Sequence, residues 1–307
     1  MAELIDGGGG DILHAIGVST RVRRCVVVRR FLVALMLCVT LVDSHRLAAA
    51  EAKIEDVVFR ATHDGSEQRY VRILPADFDA LKPHDVLLAL HGHGSDRWQF
   101  VKEPRDECRA ARDIAARHRL ILISPDYRAS TSWMGPAAEA DMLQIIAEVK
   151  KLCPVRHVII SGGSMGGTAS LTFAALHPQQ IDGVMSMNGT ANLLEYENFS
   201  NAISQSFGGN RRQIPAEYKR RSAEYWPERL TMPIACTTGG RDASVPPDSV
   251  LRLLGLLKKL ERPVLLIHRE QGGHSTRYDD AVEAYEFVIE QLEKPSNAKP
   301  ADATSSK

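Results

Sequence analysis

Apolar residues along this chain come in short continuous runs, and polar, glycine-rich punctuation follows most of them. Residues 85–90 (Asp-Val-Leu-Leu-Ala-Leu) and 120–124 (Leu-Ile-Leu-Ile-Ser) are such runs. Residues 158–160, 181–187, 233–238 and 263–268 repeat the pattern. A strand covered on both faces reads as a continuous apolar run of this length. Between the runs lie stretches of helical period. Met142, Ile145, Ile146 and Val149 share one face of a helix expected over 137–152. Further helices are expected over 103–118, 248–260 and 278–292, and one opens after Ser164. Two earlier strands, 57–60 and 70–75, flank a turn at His63-Asp64-Gly65 and fit an antiparallel edge. Strands alternating with helices predict an α/β domain with a mainly parallel sheet and helices on both faces.

Two regions break the alternation. Residues 192–230 are polar, with Phe199, Phe207, Tyr218, Tyr225 and Trp226 spaced through them. They are expected to form a small helical insertion over the mouth of a site, or a plain surface excursion. The N-terminus is the other. Arg21, Arg23, Arg24, Arg29 and Arg30 precede the apolar run 31–42, and Ala48 and Ala50 offer small residues for cleavage. That is the anatomy of an export signal over residues 1–50, with an uncleaved anchor as the alternative. The apolar run is short for a membrane span. The basic segment is long and holds Gly7 to Gly10, which suggests a start codon among the valines between Val18 and Val28. One α/β domain is expected over 51–293, and residues 294–307 read as a disordered tail.

Composition adds limits. The chain has 307 residues, 44% of them hydrophobic, and a formal net charge of zero. Outside the leader there is no basic block, so no nucleic-acid partner is expected. Cys108, Cys153 and Cys236 follow the leader. Cys236 lies in an apolar run and reads as a core thiol, whereas a Cys108–Cys153 disulfide stays open. Without a Cys-x-x-Cys there is no zinc ribbon, and no cofactor is implied.

The candidate chemistry gathers at four strand ends, where open parallel sheets place their functional groups. Gly162-x-Ser164-x-Gly166 follows the 158–160 run and precedes a helix, the setting of a strained turn that presents a serine nucleophile. Asp242 follows the 233–238 run, and His274 follows the 263–268 run. Ser164 needs a base to take its proton, His274 is the candidate, and Asp242 would fix the imidazole tautomer. Asp248 suits a helix start better than this role. The backbone N–H groups of Met165 and His93 are candidate oxyanion donors. His91-x-His93-x-x-Asp96 could instead ligate a metal, although no partner cluster accompanies it. Trp133, Met134 and Asn188 are candidate substrate-binding residues.

Gly162-Gly-Ser164-Met-Gly-Gly167, Asp242-Ala-Ser-Val-Pro246 and Gly272-Gly-His274 resemble the catalytic domain of the prolyl oligopeptidase family, within the α/β-hydrolase fold. Phe207-Gly-Gly209, Pro215-Ala-Glu-Tyr218 and Arg221-Ser222-Ala223 also resemble the family, and the resemblance spans about residues 85–292. It implies a serine hydrolase acting through an acyl-enzyme, without cofactor. Two departures bear on the substrate. Larger members carry a β-propeller for which this chain has no room. Peptidase members commonly place an oxyanion-donating tyrosine in the loop after the third strand, and residues 91–97 hold none. The His-Gly-x-Gly form is similar to that of secreted esterases of feruloyl, acetyl-xylan and polyester-depolymerase type. An exported carboxylic-ester hydrolase is therefore expected. A serine peptidase, or a non-catalytic envelope protein on a hydrolase scaffold, are the alternatives.

Overall fold

The alternating runs build one eight-stranded sheet. The computed structural model describes residues 52–294; the leader and tail expectations concern residues outside that range. In chain order the strands are β1 (Lys53–Arg60), β2 (Glu67–Leu74), β3 (His84–Leu90), β4 (Ile121–Pro125), β5 (Val155–Gly163), β6 (Gly183–Met187), β7 (Ile234–Gly239) and β8 (Val264–Arg269). Their order in the sheet is β1-β2-β4-β3-β5-β6-β7-β8. The first two junctions, β1 to β2 and β2 to β4, are antiparallel. Every later pairing is parallel. β1 and β2 extend beyond the expected 57–60 and 70–75. Their added residues are largely charged, as an edge hairpin permits, so they carry little hydrophobic signal.

The helices are α1 (Gln99–Lys102), α2 (Asp106–Arg117), α3 (Pro136–Leu152), α4 (Met165–Leu176), α5 (Ser200–Phe207), α6 (Pro215–Arg220), α7 (Asp248–Lys259) and α8 (Tyr278–Glu293). Local sequence explains the long ones. α3 starts on Pro136, whose missing N–H costs nothing in a first turn, and ends with Lys150 and Lys151 facing the negative end of the dipole. α2 opens on Asp106 and Glu107 and closes on Arg117, the same charge order.

Strand alternation splits the core into two layers. Val86, Leu88, Leu90 and Ile160 point to the face covered by α3, α4 and α7, where Met142, Phe173 and Leu253 meet them. Leu87, Ala89 and Ile159 point to the other face, against Ile114 of α2 and Tyr285 and Val288 of α8. Each fully buried Leu or Ile side chain contributes about 1.5–3 kcal/mol by leaving water. All three cysteines of the described range are free and buried. Cys108 and Cys153 belong to opposite layers, so the pairing left open in the sequence does not form.

Candidate active site

Ser164 sits where β5, beside the centre of the sheet, turns into α4. Its backbone has φ 58° and ψ −118°, a region that side-chain-bearing residues rarely adopt. The turn is tight. A Cβ on Gly162 would lie 2.6 Å from the Leu90 carbonyl oxygen, and one on Gly166 would overlap that same oxygen. Only glycines let β3 approach so closely. The Ser164 N–H donates to the Met187 carbonyl at 2.7 Å, which ties the turn to the end of β6.

Two further strand ends converge on this serine. His274 Nε2 lies 2.9 Å from Ser164 Oγ. His274 Nδ1 lies 2.7 Å from Asp242 Oδ2. Asp242 Oδ1 accepts the N–H groups of Ser244 and Val245 at 3.0 and 2.9 Å. Burial of this carboxyl would raise its pKa, but the His274 and backbone hydrogen bonds outweigh burial and leave it below its ordinary value. An ionised Asp242 accepts the proton on Nδ1, so Nε2 is left to accept from the Ser164 hydroxyl. The arrangement can deprotonate a serine during attack and return the proton to a leaving group.

The expected oxyanion donors are the backbone N–H groups of Met165 and His93. Among the described residues, neither the Met165 nor the His93 N–H has a backbone acceptor. Met165 opens α4, so the positive end of that helix also faces the site. The loop carrying His93 is fixed from behind. Gln99 is buried, and its Oε1 accepts the Gly92 N–H at 2.7 Å. Tyr127 donates to the His91 carbonyl at 2.6 Å. His91 itself is buried between the carbonyls of Gly92 and Asp126, and Asp96 caps the Trp98 N–H. Among the described residues no group of three or more His, Cys, Asp or Glu is placed to hold a metal ion.

A cleft of about 270 Å³ opens over Ser164. His93, Arg105, Phe199 and Ser244 are among its walls. Asn188 reaches the cleft but spends its amide on structure. Its Oδ1 accepts from Thr276 at 2.7 Å, and its Nδ2 points at Asp242 and the Gly273 carbonyl, each at 3.4 Å. Trp133 and Met134, expected in the pocket, do not line it; both are wholly buried. Their positive φ values, 44° and 56°, turn the side chains inward. Trp133 instead stands behind His93 and donates from Nε1 to His93 Nδ1 at 3.0 Å. Asp248 begins α7, away from His274. Gln99 and Arg105 were not singled out by sequence reasoning, because a lone Gln or Arg after a loop carries no positional signal. Phe199 was visible as one of the aromatics of the 192–230 segment, which does supply a wall of the cleft.

Comparison with family models matches residues 140–294 to the prolyl oligopeptidase family. That match takes in Ser164, Asp242 and His274. No curated protein matches in sequence. Among solved structures, a putative dipeptidyl aminopeptidase IV from Bacteroides ovatus superposes with TM-score 0.62 at 16% identity, over 80% of this chain and 36% of that one. A fluorophosphonate-binding serine hydrolase of Staphylococcus aureus gives 0.60 at 18% identity, over 78% and 98%. An S-formylglutathione hydrolase from Agrobacterium tumefaciens gives 0.60 at 16% identity, over 80% and 96%. The chain thus spans about a third of the first and nearly all of the other two. These likenesses establish the α/β-hydrolase fold.

Proposed function

Because this chain belongs to the prolyl oligopeptidase family of serine hydrolases, we propose that it hydrolyses carboxylic esters through an acyl-enzyme formed on Ser164. The observation that carries this is the unbroken chain from Ser164 Oγ to His274 to Asp242, with links of 2.9 and 2.7 Å. His274 takes the hydroxyl proton as Oγ attacks the carbonyl carbon. Asp242 holds the imidazolium that results. The Met165 and His93 N–H groups receive the oxyanion. His274 then gives its proton to the departing alcohol. Water, deprotonated by the same histidine, releases the acid and restores Ser164.

An ester rather than a peptide is favoured by two observations. The loop after β3 holds no tyrosine, and the described residues match nearly the full length of the S-formylglutathione hydrolase but about a third of the putative aminopeptidase. Export is part of the proposal. The arginine-rich segment, the apolar run 31–42 and Ala48-Ala49-Ala50 fit a cleaved leader, which would free a mature chain beginning at Glu51. Among the described residues no helix is long and apolar enough to cross a membrane.

The test is turnover of p-nitrophenyl acetate by the wild-type protein and by Ser164→Ala. Activity is expected to fall about 10⁴-fold or more in the variant. Retention of activity, or failure of a fluorophosphonate to label Ser164 in folded protein, overturns the nucleophile. Preferential turnover of aminoacyl chromogens over esters overturns the choice of substrate.

A further inference from the structure

One hydrogen bond behind the cleft wall decides the protonation state of a group inside it. Trp133 is wholly buried, and an indole Nε1–H only donates. Its acceptor is His93 Nδ1, at 3.0 Å. Nδ1 is therefore unprotonated, and the ring proton resides on Nε2. An imidazolium at this position would need a second proton on Nδ1, facing the indole N–H and leaving it without an acceptor in the core. A buried donor deprived of its partner is costly. Burial acts in the same direction and holds the His93 pKa below its ordinary value. The ring is also clamped in place. It lies against Phe199 at 4.5 Å between centroids and against Trp133 at 5.9 Å. Trp133 is held in turn by the Met165 sulfur, which accepts its backbone N–H at 3.4 Å.

His93 lines the same cleft as Ser164 and His274, and the other ionisable walls of that cleft are Arg105 and Glu107. Tyr196 packs against Trp133, 5.6 Å between ring centroids. Among the side-chain hydrogen bonds of the described residues, none uses His93 Nε2, whereas Nδ1 is taken by Trp133. A rigid, neutral N–H donor with no protein acceptor thus borders the space where the carbonyl reacts.

We propose that the His93 imidazole is a side-chain oxyanion donor, bonding from Nε2 to the carbonyl oxygen of the bound acyl group. It acts together with the backbone N–H groups, and Trp133 is the positioning residue that fixes its tautomer. The inference rests on the acyl-enzyme reading of Ser164. A neutral imidazole gains in donor strength as the carbonyl oxygen becomes negative, and it keeps its proton throughout. A neutral histidine used as an electrophile in this way is known enzyme chemistry, achieved elsewhere by a helix N-terminus rather than an indole.

The experiment compares full-length wild type, His93→Phe and His93→Gln with p-nitrophenyl acetate, after fluorophosphonate labelling of the wild type has established the nucleophile. His93→Phe keeps an aromatic ring against Phe199 but removes the donor, and kcat is expected to fall about 10²-fold. His93→Gln restores a neutral side-chain N–H and is expected to recover most of that loss. A kcat for His93→Phe within threefold of wild type overturns the proposal while leaving the Ser164 reading intact, as does a loss that His93→Gln fails to recover. ¹⁵N spectra supply a readout that mere packing would not move. In the wild type the His93 ring is expected to stay neutral, with its proton on Nε2, further into acid than in Trp133→Phe. A wild-type His93 that titrates no lower than in Trp133→Phe, or carries its proton on Nδ1, overturns the role given to Trp133.

Discussion

At the scale of single residues, the site depends on atoms that are missing as much as on those present. Ser164 is held at φ 58° because Gly162 and Gly166 let the Leu90 carbonyl lie against the turn. The Leu90 oxygen belongs to the strand that leads into His91 and the loop that lines the cleft. Gly166→Ala places a methyl group onto the carbonyls of Leu90 and His91. Neither carbonyl can retreat without pulling β3, so the substitution is expected to cost roughly 3 kcal/mol of stability, read as a lower urea midpoint. Hydrolase activity is expected to fall further than the unfolded fraction accounts for, since the loop that borders Ser164 moves with β3. Ser164, Asp242 and His274 were legible in the sequence because each follows an apolar run at a strand end. Trp133 and Met134 were legible only as aromatic and sulfur-bearing residues near a strand end. Which way they face was set by two left-handed backbone positions, and nothing in the residue types announces those.

At the scale of elements, the segment between β4 and α3 is the least conventional part of the molecule. Tyr127, Arg128, Trp133 and Met134 all have positive φ. Such strain persists only where surroundings over-determine it. Three anchors do so. Arg221, wholly buried, donates to the Met134 carbonyl at 2.6 Å and pairs with Glu139 at 2.7 Å. Burial alone would raise the Glu139 carboxyl, but His177, Arg220 and Arg221 together press its pKa well below the usual range. Ser206 of α5 bonds the Ser132 carbonyl, and a Cβ on Gly135 would collide with it. Arg128 pairs with Asp141 of α3 at 2.8 Å. The Asp141 anchor is the imperfect one. Its carboxyl is buried, its Oδ2 has no partner, and its pKa is pushed up to about 6 by burial, against the pull of Arg128.

The sign follows from linkage. Between the ordinary carboxylate pKa and about 6, the unfolded chain has lost the Asp141 proton and the folded one has not, so stability from this group is full in acid and is lost as pH rises through the folded value. Asp141→Asn removes that dependence. Relative to wild type, the variant's urea midpoint is therefore expected to be higher at about pH 7 than at about pH 4. An unchanged difference at the two values refutes the assignment. None of these anchors was readable beforehand, because each pairs residues far apart in the chain whose partners the sequence does not specify.

At the scale of the whole molecule, the alternation of runs was enough to give the sheet, its parallel sense and the antiparallel edge. Apolar strands long enough to be covered on both faces leave little freedom of architecture. The short helices were less readable. α1 has only four residues, and α5 and α6 sit in a polar segment and bury only Ile203 and Phe207, and Tyr218, too few apolar positions to mark a helix in the sequence. Cysteine placement carries the remaining prediction at this scale. Cys108, Cys153 and Cys236 are free and buried, and burial pushes the Cys108 and Cys236 thiols up to about 12. No disulfide contributes to the described domain, so its melting temperature is expected to be the same with and without a reducing agent in a thermal scan. A drop on reduction would show a crosslink that this packing does not contain.

The indole that fixes His93 has a spectroscopic consequence. The chain has three tryptophans. Trp98 lies under the Lys102 ammonium, 3.7 Å from its ring centre, and Trp226 lies against the Arg229 guanidinium at 4.1 Å. Both are partly exposed, whereas Trp133 is sealed in the core with one hydrogen bond leading to the cleft. The blue edge of the intrinsic emission therefore belongs to Trp133 and reports on the imidazole it holds. Turnover in the cleft is therefore expected to appear as a transient in ultraviolet fluorescence, so unlabelled substrates can be screened without a chromogenic leaving group.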